Sequence, residues 1–544
     1  MDTFFHSVHL EPELCKGCIN CLKRCPTQAI RVRNGKASII KEFCIDCGEC
    51  IRICPHHAKK ATYDPLDILD KFEYKVALPP PSLYAQFNNL EDKGLVLEAL
   101  LKLGFDDVYE VAAAAEMVSE ITRDLIRSKK VKLPLISSAC PSVVRLIRVR
   151  FPNLIDSVSP LNAPVELAAE MAMKRAIQKT GLPREKIGII FITPCPAKMT
   201  AINVPLGKEK SQVDGVVAMS EVYQRLLPLM KEIYEANPDG YCSQTIDSAG
   251  KIGVSWGKSG GEAGGLLIDQ YLAADGIENV IRVLEDLEDD KLHNLTFIEL
   301  NACSGGCVGG VLAVENPYIA RVKINTLRKY LPISCSHLND NYPENAFLDE
   351  KIQFMPVYKL GSDIAESIEL MAKADEILER LPGLDCGCCG APTCKALAED
   401  VVRGNASEKD CIHILKEYIH KLSDEMSKLG SGEKMTVTEL LNNKAFSALN
   451  KENSDREIKS VYCCDLLSIV MGRAPADCAW VTVMGNINAV AVAVLADISV
   501  IVLAENMQMD ATALNKAKAQ GVNVITTELP VFDAAKLIDG GIDG

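Results

Sequence analysis

The chain has 544 residues, 48% of them hydrophobic and 24% charged, with a formal net charge of −14. That length exceeds what one hydrophobic core serves and predicts three or more domains. The acidic balance argues against nucleic acid as a partner, because phosphate binding needs a basic surface. The opening Met-Asp-Thr-Phe-Phe-His has no basic region followed by an apolar stretch, so no signal peptide is expected. No run of about 18 apolar residues occurs, so no membrane span is expected and the expected location is cytoplasmic. Cysteine is the outlier, at 22 residues. In a cytosolic chain such usage points to metal ligands or redox chemistry rather than disulfides.

Residues 1–65 are cysteine-dense. Cys15-x-x-Cys18-x-x-Cys21-x-x-x-Cys25-Pro is repeated as Cys44-x-x-Cys47-x-x-Cys50-x-x-x-Cys54-Pro. This resembles the tandem motif of bacterial-type ferredoxins, in which three close thiolates wrap one cubane and the other motif supplies the fourth. The resemblance implies one 4Fe–4S cluster on Cys15, Cys18, Cys21 and Cys54, and another on Cys44, Cys47, Cys50 and Cys25. Gly17 and Gly48 let backbone amides approach the sulfurs. A pair of zinc knuckles is the competing reading, but zinc sites rarely repeat this spacing with terminal prolines. His56 and His57 are expected as solvated turn residues.

Residues 66–75 read as a charged connector. From 76 to 360 apolar runs alternate with amphipathic ones. Lys132–Ser137, Ile187–Thr193 and Leu295–Leu300 read as strands, and Glu166–Lys179 and Glu221–Ala236 as helices. The alternation predicts an α/β domain with a largely parallel sheet. Three cysteine loops follow the strands: Ala139-Cys140-Pro, Thr193-Pro-Cys195-Pro-Ala-Lys198, and Cys303-Ser-Gly-Gly-Cys307. Sites in open α/β sheets gather at the carboxyl ends of strands, so these loops can converge. Four soft thiolates without histidine suit an iron–sulfur cubane. The plainer alternative is buried structural cysteines on unrelated strands.

These loops, with Pro80-Pro81-Ser82 after an apolar strand, resemble FeFe-hydrogenases over residues 1 to about 360. The resemblance implies an H-cluster. Its 4Fe–4S cubane would sit on Cys140, Cys195, Cys303 and Cys307, with Cys307 bridging to a two-iron unit carrying carbonyl, cyanide and azadithiolate. Lys198 would hydrogen-bond a cyanide, a charge-assisted contact. Ala139 replaces the cysteine that passes protons to the bridging amine in catalytic relatives. Ala201 stands where they carry a glutamate, and Thr193 and Asn301 where they carry methionines. Losing a general acid–base relay typically costs about 10²–10⁴ in rate. These departures resemble the sensory lineages of the family.

Three further segments carry expectations in this domain. Glu116 and Glu120 share a helix face at i, i+4 and are expected to be solvated rather than part of a proton path. Gly257-Lys258-Ser259 is no phosphate loop, because Ile252 occupies the required glycine position. Trp256–Gly265 is expected as a glycine-rich loop close to the metal site.

Residues 361–430 read as helix, cysteine group, helix. Cys386, Cys389, Cys394 and Cys411 resemble a known iron–sulfur module and imply a third accessory 4Fe–4S cluster, with Cys388 in a non-ligand place. A zinc ribbon is the alternative. Gly430-Ser431-Gly432 reads as a linker. Residues 435–544 read as an α/β domain with strands Trp480–Val483, Ala489–Ala496, Val500–Ala504 and Val522–Thr526. The helix Thr512–Gln520 would end at Gly521. This domain weakly resembles the regulatory family named after an Asp-Arg-Thr-Gly-Gly motif, although that pentapeptide is absent. Cys463, Cys464 and Cys478 are expected as buried thiols; Cys242 and Cys335 have no partner motif.

The expected fold class is thus α/β multidomain. It comprises a bacterial ferredoxin-like N-terminal domain, an FeFe-hydrogenase catalytic-type α/β domain, a small helical iron–sulfur module and a C-terminal α/β domain. The resemblance implies slow, reversible interconversion of H2 with protons and electrons in a sensory or regulatory setting. Two alternatives stand beside it: a fully active ferredoxin-linked hydrogenase with another proton path, and a non-catalytic iron–sulfur electron-transfer protein. Ferredoxin or another redox protein, a signalling kinase or phosphatase, and a second copy paired through the C-terminal domain are the partner expectations.

Overall fold

Strands β1 (Val8–Leu10), β2 (Ile30–Arg33), β3 (Lys36–Ile39) and β4 (Lys59–Ala61) form two antiparallel ribbons, β1–β4 and β2–β3. The short helices Asn20–Lys23 and Glu49–Arg52 carry Cys21 and Cys50. Gly17 is required by its φ of +69° and by crowding, since a Cβ there would lie 2.5 Å from the Gly35 carbonyl oxygen. The computed structural model describes residues 5–237, 249–338, 342–429 and 435–542. Cys242 and the linker Gly430-Ser431-Gly432 lie outside the described residues. The chain divides into two compact units, Met1–Ile412 and His413–Gly544.

The centre of the first unit holds two parallel sheets rather than one. Strands β5 (Tyr74–Leu78), β6 (Asp107–Val108), β7 (Leu135–Ile136), β8 (Ile187–Thr193), β9 (Gly215–Ala218), β10 (Tyr271–Asp275) and β11 (Phe297–Asn301) are ordered β6-β5-β8-β9 and β10-β11-β7. All seven residues of β8 are buried, as a continuous apolar run demands in a strand covered on both faces. The expected strand Lys132–Ser137 shortens to the two residues of β7. The expected helices form at Pro164–Thr180 and Met219–Glu235.

Two of the cysteine loops share one local design. Cys140 and Cys195 each occupy the N-cap position, and Pro141 and Pro196 open the helices Pro141–Arg150 and Pro196–Asn203. Proline at the first helical position has its φ preset and no amide to leave unpaired. Each thiol is thereby held at the junction between a strand end and a helix start.

The third cysteine module packs on the first. Val32 N–H donates to the Gly390 carbonyl at 2.9 Å. The Arg31 guanidinium grips Asp400 with two bonds of 2.6 and 3.0 Å, both partners buried. Lys23 donates to the carbonyls of Asp385 and Pro392, and Arg33 to that of Cys389.

In the second unit, β12 (Met435–Thr436) pairs antiparallel with β14 (Glu457–Ile458), and β13 (Ser447–Asn450) joins β15 (Ser460–Cys463), β16 (Cys478–Thr482), β17 (Val500–Leu503) and β18 (Asn523–Thr526). Their order is β13-β18-β17-β16-β15, parallel except for β13. The segment Ala489–Ala496, expected as a strand, is instead the helix Ile487–Leu495. Its alternation of alanine and valine is ambiguous by periodicity. Topology decides it: β16 and β17 are adjacent and parallel, so their connection must cross over, usually as a helix. The Asn486 side chain caps the start, accepting from the amides of Asn488 and Ala489. The expected helix before Gly521 forms at Ala511–Ala519. Among the three thiols expected to be buried, only Cys478 is so; Cys464 is half-buried and Cys463, ending the edge strand β15, is exposed. No described helix is long and apolar enough to cross a membrane.

Candidate metal centre

All described cysteines are free thiols. In the N-terminal module they group across the two motifs. Cys21 feels the charges of Cys18, Cys54 and Cys15, while Cys44, Cys47 and Cys50 each feel that of Cys25. Each group thus includes one cysteine from the other motif. The amides of Ala29 and Ala58 donate to the sulfurs of Cys25 and Cys54 at 3.2 and 3.3 Å. Burial pushes the Cys44 and Cys47 thiols well up, and that of Cys50 to about 12. Buried thiols of this kind ionise when a metal takes the proton's place, so the donor set fits iron–sulfur clusters. His56 and His57 are exposed, as expected.

In the third module Cys389 lies within the field of Cys386 and Cys411. Cys394 is buried at the start of the helix Cys394–Val402, and its amide donates to Asp385 at 2.6 Å. Cys388 is exposed, in keeping with a non-ligand place.

The central loops converge on Lys198. Its ammonium is pulled down by burial and pushed up by Cys307, Cys195, Cys140 and Cys303, and the four thiols prevail, so its pKa is raised. Burial pushes the Cys195 thiol up to about 12 against the opposing charge of Lys198. The Lys198 Nζ donates to the Ala139 carbonyl at 3.4 Å. Thr193 braces the loop, its hydroxyl donating to the Cys195 carbonyl at 2.8 Å and accepting from the Cys195 amide at 3.3 Å. Four thiols around one ammonium, at the carboxyl ends of parallel strands, fit an anionic metal cluster with a cationic neighbour.

The inner ferredoxin-like set lies against these loops. Asp46, between Cys44 and Cys47, accepts from the Thr200 hydroxyl at 2.8 Å and the Ser7 amide at 3.0 Å. Arg52 donates to the Gly309 carbonyl at 2.9 Å, and its charge acts on Cys303. Cys47 and Cys140 border the same apolar cluster.

Beside the thiols is a cavity lined by Ala139, Lys198, Cys307, Glu262, Glu299 and Asn301, and also by Pro80, Pro81 and Ser82. Glu262 and Glu299 are both buried. The Ser137 hydroxyl donates to Glu262 at 2.6 Å and accepts from the Ala139 amide at 3.1 Å. Glu299 accepts from the amides of Gly260 and Ala263, each at 2.9 Å, and from the Asn301 side chain at 2.8 Å. Burial and the neighbouring Glu299 charge push the Glu262 carboxyl up to about 8, against Ser137 and Lys198. Burial raises Glu299 as well. A carboxyl group poised near neutral pH can both give and take a proton there.

Reading the sequence alone missed this acid pair. The available signals were a glutamate inside the apolar run of β11 and another in the segment Gly260–Gly265. That segment does pack on the site, as expected for Trp256–Gly265: Ser259 N–H donates to the Gly305 carbonyl, and Val308 N–H to that of Gly257, each at 2.9 Å. A Cβ on Gly261 would lie 1.8 Å from the Ser255 carbonyl oxygen, so glycine is what permits the approach. A second, mostly apolar cavity also touches Lys198. Ala201, Val144, Leu161, Val165 and Ile352 line it, and the Glu166–Lys208 ion pair at 3.3 Å lies at its polar edge.

Glu116 is not solvated. It is buried in the helix Val111–Arg127 and accepts from the amides of Gly250, Gly253, Cys335 and Ser336 and from the Ser334 hydroxyl, at 2.7–3.2 Å. Those five donors make the Glu116 side chain a clasp for two loops. Glu120 is half-buried and accepts from the Leu338 amide at 3.1 Å. The i, i+4 spacing locates a shared face; only packing says what covers it.

Grouped thiols and a thiol-ringed lysine beside a cavity fit an iron–sulfur protein. The family described as iron only hydrogenase large subunit, C-terminal domain, matches residues 74–268 and 261–311, so this central region is similar to that family. A 4Fe-4S dicluster domain matches residues 7–55, and an Fe-S cluster family matches residues 381–413. The NADP-reducing hydrogenase subunit HndD of Solidesulfovibrio fructosivorans is 25% identical over 261 residues, 40% of this chain and 45% of that protein. Iron hydrogenase 1 of Clostridium pasteurianum is 24% identical over 364 residues, 55% of this chain and 62% of that protein. The chain thus spans roughly half the length of these curated relatives. A solved [FeFe]-hydrogenase HydA1 from Chlamydomonas reinhardtii is 16% identical with a TM-score of 0.37, covering 49% of this chain and 86% of its own.

Proposed function

We propose that the chain holds an H-cluster and slowly interconverts H2 with two protons and two electrons, as a sensory or regulatory hydrogenase. The observation that carries this reading is Lys198, surrounded by Cys140, Cys195, Cys303 and Cys307 and lining a cavity. These cysteines would hold the cubane, Cys307 would bridge to the two-iron unit, and Lys198 would anchor a cyanide. The bound group supplies the metal centre at which H2 is split or formed. Ala139 puts a methyl group on the cavity wall where catalytic relatives place a thiol, so no proton moves there. Glu262, handed on through Ser137, and Glu299 are the cavity carboxyls able to carry protons in its place. Electrons would leave through the set Cys44, Cys47, Cys50 and Cys25, which lies against the central loops. The set Cys15, Cys18, Cys21 and Cys54 and then Cys386, Cys389, Cys394 and Cys411 would follow. A redox partner, or a kinase or phosphatase, would read the outcome.

The acid pair also favours a second reading, a fully active hydrogenase whose protons use this other route. Infrared spectra of protein matured with the two-iron unit test both readings. Absence of carbonyl and cyanide bands would reject both in favour of a non-catalytic electron carrier. With the bands present, H2 evolution rates decide: slow turnover supports the sensory reading, and rates matching fast hydrogen producers support the other.

A further inference from the structure

We propose that the buried ammonium of Lys59 serves both N-terminal thiol sets at once, raising the reduction potentials of the clusters they hold. This rests on the proposed clusters at Cys15, Cys18, Cys21 and Cys54 and at Cys44, Cys47, Cys50 and Cys25. Lys59 is 1% exposed, one of the largest fully buried side chains, and its Nζ has no hydrogen-bond partner among the described residues. Taking an ammonium out of water without a partner is costly, so buried charges are paired or lie against a bound ion. The orphaned Nζ needs an anion that the polypeptide does not supply.

The internal repeat shows that this place in the fold does not itself call for a lysine. Five residues after the last cysteine of each motif stand Ile30, after Cys25, and Lys59, after Cys54. The two positions match in structure. Ile30 opens β2 and Lys59 opens β4. Each follows a buried alanine whose amide donates to the sulfur of that last cysteine. Ile30 is buried in an apolar cluster with Cys15, Cys21 and Leu22. An aliphatic chain therefore meets the packing need, and what lysine adds is its charge. Burial raises the Cys21 and Cys50 thiols, and the Lys59 charge opposes that rise at both. Cys21 belongs to one set and Cys50 to the other, so one cation reaches both.

Reduction adds one electron to a 4Fe–4S cluster. An ammonium beside it offsets the added charge and keeps its own proton throughout. Cluster potentials follow the charge and hydrogen bonding around the sulfurs, so both clusters become easier to reduce.

Redox titration of the full chain, followed by electron paramagnetic resonance, is the test. Lys59→Met keeps the length of the side chain and removes the charge. It should weaken one-electron reduction of both N-terminal clusters at least tenfold, a fall of about 59 mV in each midpoint, with iron content unchanged. Lys59→Arg should hold the midpoints near those of the wild type. Unchanged midpoints in Lys59→Met overturn the proposal. Electron–nuclear double resonance of the reduced wild type, labelled with nitrogen-15 lysine, keeps the test independent of how the variants fold. A lysine nitrogen coupled to the clusters should survive Lys36→Met, which removes the other lysine acting on Cys15. Absence of that coupling overturns the proposal while leaving the clusters themselves in place. A wild type without the two N-terminal cluster signals overturns both the proposal and the clusters on which it rests.

Discussion

Cys140, Cys195, Cys303 and Cys307, gathered around Lys198, form one wall of the site, with Cys307 reaching the central cavity, and Glu262 and Glu299 form another. The two are built from different kinds of sequence. The thiol wall lies in loops marked by proline and glycine, each fixed where a strand ends. The carboxyl wall takes one residue from inside the buried strand β11 and one from a glycine-rich turn that reaches it only because Gly261 allows close approach. Under the proposed function, one group would retain a metal cluster and the other would hold protons. Comparing them teaches that the two tasks are separable, so a chain without a thiol at position 139 still keeps acids at its cavity.

The largest effect should come from the thiol wall. Cys195→Ala or Cys303→Ala should abolish turnover and the carbonyl and cyanide bands, while the electron paramagnetic resonance signals of the N-terminal clusters persist. Retention of the bands would show that the four thiols do not act as a cage.

The carboxyl wall comes next. Glu262→Gln with Glu299→Gln should leave the infrared bands in place and lower H2 evolution by about 10²–10⁴, the usual worth of general acid–base assistance. Unchanged rates would remove both carboxyls from the proton route. In the opposite direction, Ala139→Cys should raise evolution by about tenfold or more and should restore part of the activity lost by the double glutamine variant. No gain at full cofactor occupancy would separate position 139 from proton supply.

The smallest effect concerns stability against pH. Glu262 has its carboxyl at about 8 in the folded chain, against 4.5 for the unperturbed group. Between those values the folded state holds a proton that the unfolded state has released. The Glu262 contribution therefore lowers stability as pH rises from about 4.5 to about 8, by at most about 1.4 kcal/mol per pH unit. Glu262→Gln removes that slope, so calorimetric melting of variant and wild type should diverge in the variant's favour between pH 6 and 8. Parallel curves would mean that Glu262 is already ionised at pH 6.

The tandem Cys15–Cys25 and Cys44–Cys54 motifs were legible in the sequence because their ligands are local. Steps of three residues bring thiols together without any long-range folding, and the structure brings Cys25 near Cys44, Cys47 and Cys50 and Cys54 near Cys21. The strands before Cys195 and Cys303 were legible as apolar runs. The helix Ile487–Leu495 was misread as a strand because its apolar run has no helical period, and the requirement for a crossover exists only once β16 and β17 are neighbours. Glu116 was misjudged for a related reason: five donors from two distant loops bury it, and none is near it in sequence.

By itself the sequence determined which residue types stand at the strand ends, and hence that thiols, a lysine and an alanine meet wherever those ends meet. Only the tertiary structure decided that Glu262 and Glu299 join them and that one of these carboxyls titrates near neutral pH. The reason is physical: burial and the field of a second charge set a carboxyl's proton affinity, and neither exists until distant segments pack together.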